Sequence, residues 1–461
     1  MKNIINGIMK IPRRFAALFL VVVLVAVAFS VYGDSIISNL ANLVDTETQS
    51  PEPDKPDVSE EPLDYDDIGN GNDVDIEDEI TEELPESLDE HTDYNYDGYE
   101  DDNEMDEQAG DAPNVSGAGT TGTVAGPTGS PHIRPTGEHI CFLSGMGTTY
   151  DNQQNRPVAI VINNDFRAQP TVGMGAADII YEVLIEGGVT RFTMLVSDFD
   201  SVPVFGSTRS ARNYMSDLSQ SHDAIFVHAG GTTMAYTELN NRGIDRLDGV
   251  NAVRGMHFPE TFYRDAARRR TMALEHTMMV SGAGISAGIR RANYRTRHES
   301  DFIPPFRFHA EFTELPEADT GDNVAHYIAV PFARNTIREF VFNPEDGLYY
   351  RRQFSAAHID GATGEQLRFE NVIVMFAEYT SLGMAAGYLA CRLVGTGSGF
   401  YITGGRYTTI RWSKDSRDGP LHFFNWDGSD LYLNPGRTFI CVTPTTFLNR
   451  VTINADLRPI G

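Results

Sequence analysis

The chain has 461 residues, and 65 acidic against 36 basic side chains give it a formal net charge of −29. Most of that charge lies in one tract: positions 41–120 hold 29 Asp and Glu and a single basic residue, Lys55, whereas positions 121–461 hold 35 acidic and 31 basic residues. Nucleic-acid binding requires basic patches, so this composition argues against a nucleic-acid partner.

An uncharged apolar run, FAALFLVVVLVAVAFSVY, occupies residues 15–32. About 20 apolar residues cross a bilayer as one helix, and the four basic residues before this run favour a cytoplasmic N-terminus. The sequence therefore predicts a cytoplasmic segment 1–14, a transmembrane anchor 15–32 and an extracytoplasmic remainder, with the membrane as a partner through that one helix. A signal peptide cleaved near residues 28–30 is the alternative, and it also exports the chain.

Residues 33–139 contain the acidic tract and end in a small, uncharged stretch, SGAGTTGTVAGPTGS, at 116–130. A segment this charged and this poor in large aliphatic residues cannot bury enough surface to offset its chain entropy. We expect a disordered acidic linker that holds the folded region away from the membrane.

One motif inside the linker matches a calcium-binding loop. Residues 93–104, DYNYDGYEDDNE, place Asp93, Asn95, Asp97, Asp101 and Glu104 at the ligand positions, with a glycine at the sixth. Glu100 stands where an apolar residue is usual, and no amphipathic helix flanks the loop. The sequence predicts no other cofactor or metal.

The first folded region is predicted at 140–310. Pro157–Asn163 is typical of a buried strand, and residues 177–186 and 189–196 indicate a hairpin around Gly187-Gly188, with a helix over 177–186 as the alternative. Residues 207–220 predict a helix with Arg209 and Arg212 on one face near its N-terminus. Cations there are tolerated if an anion or a carboxylate such as Glu182 or Glu186 lies between them.

A second turn in this region also suggests a site. Residues 224–227 predict a strand that leads into His228, Gly230 and Gly231, and then a capped helix to about Asn240. Glycines at a helix N-terminus expose backbone N–H groups to anions. A structural role for His228 is the alternative to a catalytic one.

The region 320–461 changes to short strands separated by turns, which is typical of a small β barrel or sandwich. Cys391 and Cys441 both fall on predicted strands, and buried free thiols are favoured over a disulfide.

Several strings resemble the YerB-like family of bacterial envelope proteins, also called the DUF3048 family. They are residues 156–164 (RPVAIVINN), 177–182 (ADIIYE), 186–192 (EGGVTRF), 207–212 (STRSAR), 223–231 (DAIFVHAGG), 247–249, 262–265, 276–277, 371–374, 395–399, 410–414 and 434–438. The resemblance implies a mixed α/β fold, with a layered α/β sandwich as N-terminal domain and a smaller β-rich C-terminal domain, and no established reaction. Family members are typically lipoproteins, and this chain departs from them in its anchor and acidic linker.

Three functions remain open from the sequence, the third of them a pure interaction protein whose acidic linker binds cations or basic partners. The first is a membrane-tethered envelope protein with a binding or scaffold role, in which Arg191, Arg209, Arg212 and the His228–Gly231 turn hold an anionic envelope polymer. The second is an envelope hydrolase or transferase that uses His228 with Glu186 or Asp265 as acid and base.

Overall fold

The computed structural model describes residues 137, 139–148, 153–318, 323–384 and 386–460. The predicted segment 1–14, the anchor 15–32, nearly all of the linker 33–139 and the calcium loop 93–104 lie outside the described residues. Among the described residues, no helix is long and apolar enough to span a membrane.

The described residues form a mixed α/β fold with more strand than helix, as expected. Three α-helices are present in this part of the chain: α1 Asn213–Gln220, α2 Thr233–Asn241 and α3 Gly282–Ala292. Short 3-10 helices span Phe166–Ala168, Met174–Ala176, Glu186–Gly188, Arg268–Arg270, Leu274–His276 and Thr445–Arg450. The strands are β1 His139–Ile140, β2 Gly147–Thr148, β3 Val158–Asn164, β4 Ile179–Leu184, β5 Thr190–Val196, β6 Phe205–Gly206, β7 Ile225–His228, β8 Arg246–Asp248, β9 Phe262–Arg264, β10 Met278–Val280, β11 Arg307–Phe308, β12 Tyr327–Ala333, β13 Thr336–Asn343, β14 Leu348–Gln353, β15 Ala356–Ala357, β16 Arg368–Phe369, β17 Asn371–Ser381, β18 Leu389–Arg392, β19 Gly395–Thr403, β20 Arg406–Lys414, β21 His422–Asn425, β22 Tyr432–Leu433, β23 Thr438–Pro444 and β24 Thr452–Asn454.

One large sheet runs through both halves of the described chain. Its order is β21-β20-β19-β17-β23-β4-β5-β3-β7-β8, with β18 paired to β17, and β23 joins β4 in parallel. The predicted hairpin is confirmed, because β4 and β5 pair antiparallel with Ile179 opposite Leu195. A second sheet, β15-β14-β13-β12-β24 with β16 paired to β14, comes from residues 327–454.

Of the two alternatives expected for the second half, a small barrel or a sandwich, the barrel is wrong. Strands β17, β19, β20, β21 and β23 extend the sheet of the first half instead of closing on themselves. The reason is the parallel β23–β4 pair, a pairing between strands about 260 residues apart in the chain that short-range strand patterns do not encode. The region is β-rich as expected, and the domain boundaries near 310 and 320 stay a prediction.

Both faces of the large sheet are buried. On one face, side chains such as Ile160 and Phe192 pack against the second sheet through Phe340 and Tyr349. On the other face, Val161 and its neighbours pack against α1 and α2. Strands buried on both faces read as continuous apolar runs, which explains the PVAIVIN pattern of β3.

A buried ion cluster joins the two sheets. Glu182 of β4, fully buried, accepts hydrogen bonds from Arg338 Nε of β13 and Arg351 Nη2 of β14, each at 2.7 Å. Thr190 Oγ1 and Asn164 Nδ2 also donate to Glu182 Oε1, at 2.6 and 3.1 Å. Burial alone would raise the pKa of Glu182, but the charges of Arg351 and Arg338 outweigh it and lower that pKa.

We predict that Glu182→Ala lowers the free energy of unfolding by about 3–5 kcal/mol, because it leaves two buried guanidinium groups without their carboxylate. Urea denaturation of the full-length protein measures this change. The matched control is Glu378→Ala, which breaks the exposed Glu378–Arg392 pair (2.8 Å) and should cost about 1 kcal/mol or less. Equal losses for the two variants would show that the ion cluster does not hold the sheets together.

Candidate functional site

The predicted site segments lie side by side at the end of β3. The chain from Ser207 to Arg212 is extended there: Asn163 N donates to Ser207 O (2.9 Å), and Arg209 N donates to Val161 O (3.2 Å). On its other side, Ala229 N donates to Arg209 O (3.1 Å) and Ala211 N donates to Gly230 O (2.9 Å). The structure thus brings the Ser207–Arg212 segment, called here the arginine segment, next to the His228–Gly231 turn.

The predicted helix over 207–220 is wrong in its first turn and a half. The helix α1 begins at Asn213, because the amides of Thr208, Arg209 and Ala211 bond to carbonyls of neighbouring segments and not within a helix. In an extended chain, residues three apart point to opposite sides. Arg209 and Arg212 therefore do not share a face, and each has different surroundings.

Arg212 makes a structural ion pair. Its Nε donates to Glu186 Oε2 at 3.0 Å, and its Nη2 donates to Glu186 Oε1. The guanidinium also lies over the Tyr388 ring, 5.6 Å from its centroid. A bidentate Arg–carboxylate pair satisfies both charges. For Arg212, the structure therefore favours a carboxylate partner over an anionic ligand.

Arg191 is buried beside a second cation. It lies on β5 with its side chain directed to the Ser207–Arg212 segment, where Nη1 donates to the Ser210 carbonyl. Its Nε is buried and has no hydrogen-bond partner among the described residues. Burial, and then the charge of Arg209, lower the pKa of Arg191. Among the described residues, no carboxylate forms an ion pair with Arg191.

The charge of Arg209 also contributes to lowering the pKa values of Arg264 and His276. Burial, and then the charges of Arg269 and Arg209, lower the pKa of Arg264 on β9. His276 accepts a hydrogen bond at Nδ1 from Asn163 Nδ2 (2.9 Å), and its buried Nε2 has no partner. Burial lowers the pKa of His276, so its ring is neutral at pH 7 and carries its proton at Nε2. We call Arg191, Arg209, Arg264 and His276 the cationic cluster.

Sequence reasoning missed Arg264, His276 and Asn163. All three lie inside strings that carry the family resemblance, but nothing in their spacing connects them to Arg209. Arg264 and His276 meet it because β9 and β10 pair antiparallel and β6 pairs with β10, which returns the chain to Ser207. Asn163 meets it because β3 bonds the Ser207–Arg212 segment directly.

The His228–Gly231 turn is held by its own contacts. His228 is fully buried, and its Nδ1 donates to Gly230 O (2.7 Å). Asp248 accepts from Gly230 N (2.9 Å) and from the Tyr236 hydroxyl (2.7 Å). Gly230 has a φ of +80°, which favours glycine. Burial lowers the pKa of His228. These contacts favour the structural alternative for His228, and Gly231 lies beside Ala211 in an isolated bridge.

The three residues of the hydrolase hypothesis have separate partners. Glu186 holds Arg212, and Asp265 Oδ1 accepts from the amide of Arg268 (2.7 Å) at the start of a 3-10 helix. Neither carboxylate hydrogen-bonds His228 in the described part of the chain. His228 contacts Asp248 instead, at 4.0 Å, and so no acid–base pair of the predicted kind is assembled.

Within the described residues, no group of three or more His, Cys, Asp or Glu side chains is arranged to hold a metal ion. The three cysteines are buried free thiols. Burial raises the pKa of Cys141 to about 11 and that of Cys391 to about 12, which leaves both thiols protonated and unreactive at neutral pH.

We predict that Arg212→Ala lowers the free energy of unfolding by about 1–3 kcal/mol, because Glu186 then loses its charge-assisted partner. Glu186→Gln should cost a similar amount. Chemical denaturation of the two single variants and the double variant measures the coupling between them. Strictly additive losses would show that the pair contributes nothing, contrary to the geometry.

Comparison with known proteins identifies a family for this chain. Residues 143–295 match the family described as "Protein of unknown function (DUF3048) N-terminal domain", and residues 328–440 match its C-terminal domain. The chain is 25% identical over 306 residues to "Putative lipoprotein YerB" of Bacillus subtilis (strain 168), covering 66% of this chain and 85% of that protein.

A solved structure shows the same fold. The crystal structure of YerB protein from Bacillus subtilis superposes with a TM-score of 0.58 at 24% identity, covering 68% of this chain and 99% of that one. The two family matches together span more than half of the 461 residues, and the first of them includes the four residues of the cationic cluster. The chain therefore belongs to the YerB-like DUF3048 family.

Proposed function

We propose that this chain is an extracytoplasmic envelope protein, tethered to the membrane by residues 15–32, that binds an anionic envelope polymer at the cationic cluster. The acidic linker 33–139 would hold the folded residues away from the bilayer. The apolar run with its basic flank supports the tether, and the word lipoprotein in the name of the Bacillus relative supports an association with the membrane.

One observation carries the binding proposal: Arg191 is buried, and no carboxylate of the described residues forms an ion pair with it. A buried cation is costly unless it is paired. Arg212, Arg338 and Arg351 are buried to a similar extent, and each bonds a glutamate. The Arg437 guanidinium donates to backbone carbonyls of described residues, its backbone amide bonds Glu370, and the charges of Glu370, Asp178 and Asp360 act on it. For Arg191, the strongest charged neighbour is a second cation.

Asp165, whose charge acts on both Arg191 and His276, is already paired with another cation. Asp165 binds Arg167, with Nε at 2.9 Å from Oδ1 and Nη2 at 2.7 Å from Oδ2. The Arg167 hydrogen bond is the main reason that the pKa of Asp165 falls to about 2. With Asp165 occupied, the cluster offers two buried N–H donors, Arg191 Nε and His276 Nε2, next to the charge of Arg209. An anion with several oxygens, a phosphate or a carboxylate, fits these donors.

We predict that Arg209→Ala weakens binding of poly(glycerol phosphate) or poly(glutamate) about tenfold or more, because one charge-assisted contact is worth about 1.5–3 kcal/mol. Calorimetry on the detergent-purified full-length protein, with dextran as the neutral polymer, measures the affinities. Arg392→Ala removes the same charge at an exposed position and should change affinity less than twofold.

Two results would contradict the binding proposal. One is unchanged affinity in a folded Arg209→Ala variant. The other is a wild-type protein that binds neither polyanion more tightly than dextran.

The tether has its own test. We expect protease added to intact cells of a Gram-positive host to digest residues 140–461, because the proposal places them outside the membrane. A variant without residues 15–32 should stay inside and resist digestion until lysis. Resistance of the full-length chain in intact cells, with digestion only in lysates, would reject the extracytoplasmic assignment.

A further inference from the structure

A cavity lies far from the cationic cluster, at the β21 edge of the large sheet. It has a volume of about 460 Å³, within the range of small-ligand sites, and its walls come from strands β19, β20 and β21 and the turn after β21. Four strands separate β20 from β5, so at about 4.8 Å per strand the two sites are roughly 24 Å apart across the sheet.

The cavity presents an exposed tryptophan beside an arginine without a carboxylate. Trp426 is 55% exposed, and Arg411 Cζ lies 4.4 Å from the centroid of its ring system. In the described part of the chain, no Asp or Glu forms an ion pair with Arg411. Its N–H groups are therefore available for a ligand, while the contact with Trp426 fixes the position of the side chain.

Hydroxyl groups line the same face. The strand register places Ser398 opposite Arg411 and Thr396 opposite Ser413, so these four residues share one face of β19 and β20. None of the three hydroxyl groups hydrogen-bonds another described residue. Hydroxyl groups on a rigid sheet beside an exposed indole match a sugar ring, which has polar edges and an apolar face.

The floor of the cavity is rigid. Trp412 is buried, and its Nε1 donates to Phe376 O (3.0 Å). A Cβ atom on Gly397 would come within 2.5 Å of that indole nitrogen, so only glycine lets β19 approach the ring. Close packing of β19 on the Trp412 ring thus explains the central glycine of the string GTGSG at 395–399.

We propose that this cavity binds a saccharide unit that carries an acidic group. The apolar face of the sugar packs on Trp426, its hydroxyls bond Thr396, Ser398 and Ser413, and its acidic group binds Arg411. The proposal does not depend on the cationic cluster, and the two sites can be tested separately.

The test is calorimetry on the full-length protein with three probes: trigalacturonate, neutral maltotriose and glucose 1-phosphate. We expect trigalacturonate or glucose 1-phosphate to bind at least tenfold more tightly than maltotriose, and the tighter of the two identifies the acidic group as carboxylate or phosphate. Trp426→Ala should weaken every probe at least tenfold. Arg411→Gln should abolish the preference for the acidic probes and keep the weak binding of maltotriose.

A matched arginine–aromatic pair provides the control. Arg450 lies over Phe447 at 5.2 Å from the ring centroid, in the 3-10 helix after β23. Phe447→Ala and Arg450→Gln should leave all affinities within twofold. The proposal is overturned if the wild-type protein binds none of the probes at millimolar concentration, or if Trp426→Ala retains full affinity. Arg209→Ala should not affect this site, and so failure here is distinguishable from failure of the cationic cluster.

Discussion

The structure depends on a carboxylate buried between two sheets. Glu182 of β4 binds Arg338 and Arg351, which lie on adjacent strands of the second sheet and are 156 and 169 residues further along the chain. Taking three charged groups out of water is unfavourable unless every one is paired in good geometry. The strands β4, β13 and β14 can therefore pack only in the register that completes this cluster, which fixes how residues 158–248 meet residues 327–454.

The β4–β5 hairpin also determines where a ligand can bind. It carries three charged residues of interest: Glu182 in β4, Glu186 in the turn and Arg191 in β5. Glu182 forms ion pairs with the two arginines of the second sheet, and Glu186 forms one with Arg212. No acidic side chain of the hairpin is left for Arg191, and Arg209 adds a like charge beside it. The fold thus builds a cationic cluster by using its local carboxylates elsewhere.

Local patterns in the sequence predicted the buried strand β3, the hairpin, the strand–turn–helix at 225–241 and most strands after residue 320. They failed where distant segments meet. The helix expected from Ser207 begins only at Asn213, since the amides of Thr208 and Arg209 donate to carbonyls of β10 and β3. The expected barrel is part of a shared sheet because β23 pairs with β4. Arg191 and Arg209 were identified from residue type and local pattern, whereas Arg264 and His276 reach the cluster through the β6–β10–β9 sheet, which no spacing rule reveals.

The central claim is that no described carboxylate pairs with Arg191 because an external anion, attracted also by the neighbouring charge of Arg209, completes the site. A crystal structure of the full-length protein soaked in selenate tests it most directly, because anomalous scattering from selenium locates the bound anion without assumptions about the ligand. The account predicts anomalous density within hydrogen-bond distance of Arg191 or Arg209, and none at Arg212, which Glu186 already occupies. Density confined to exposed arginines such as Arg392, with the cluster empty, would contradict it.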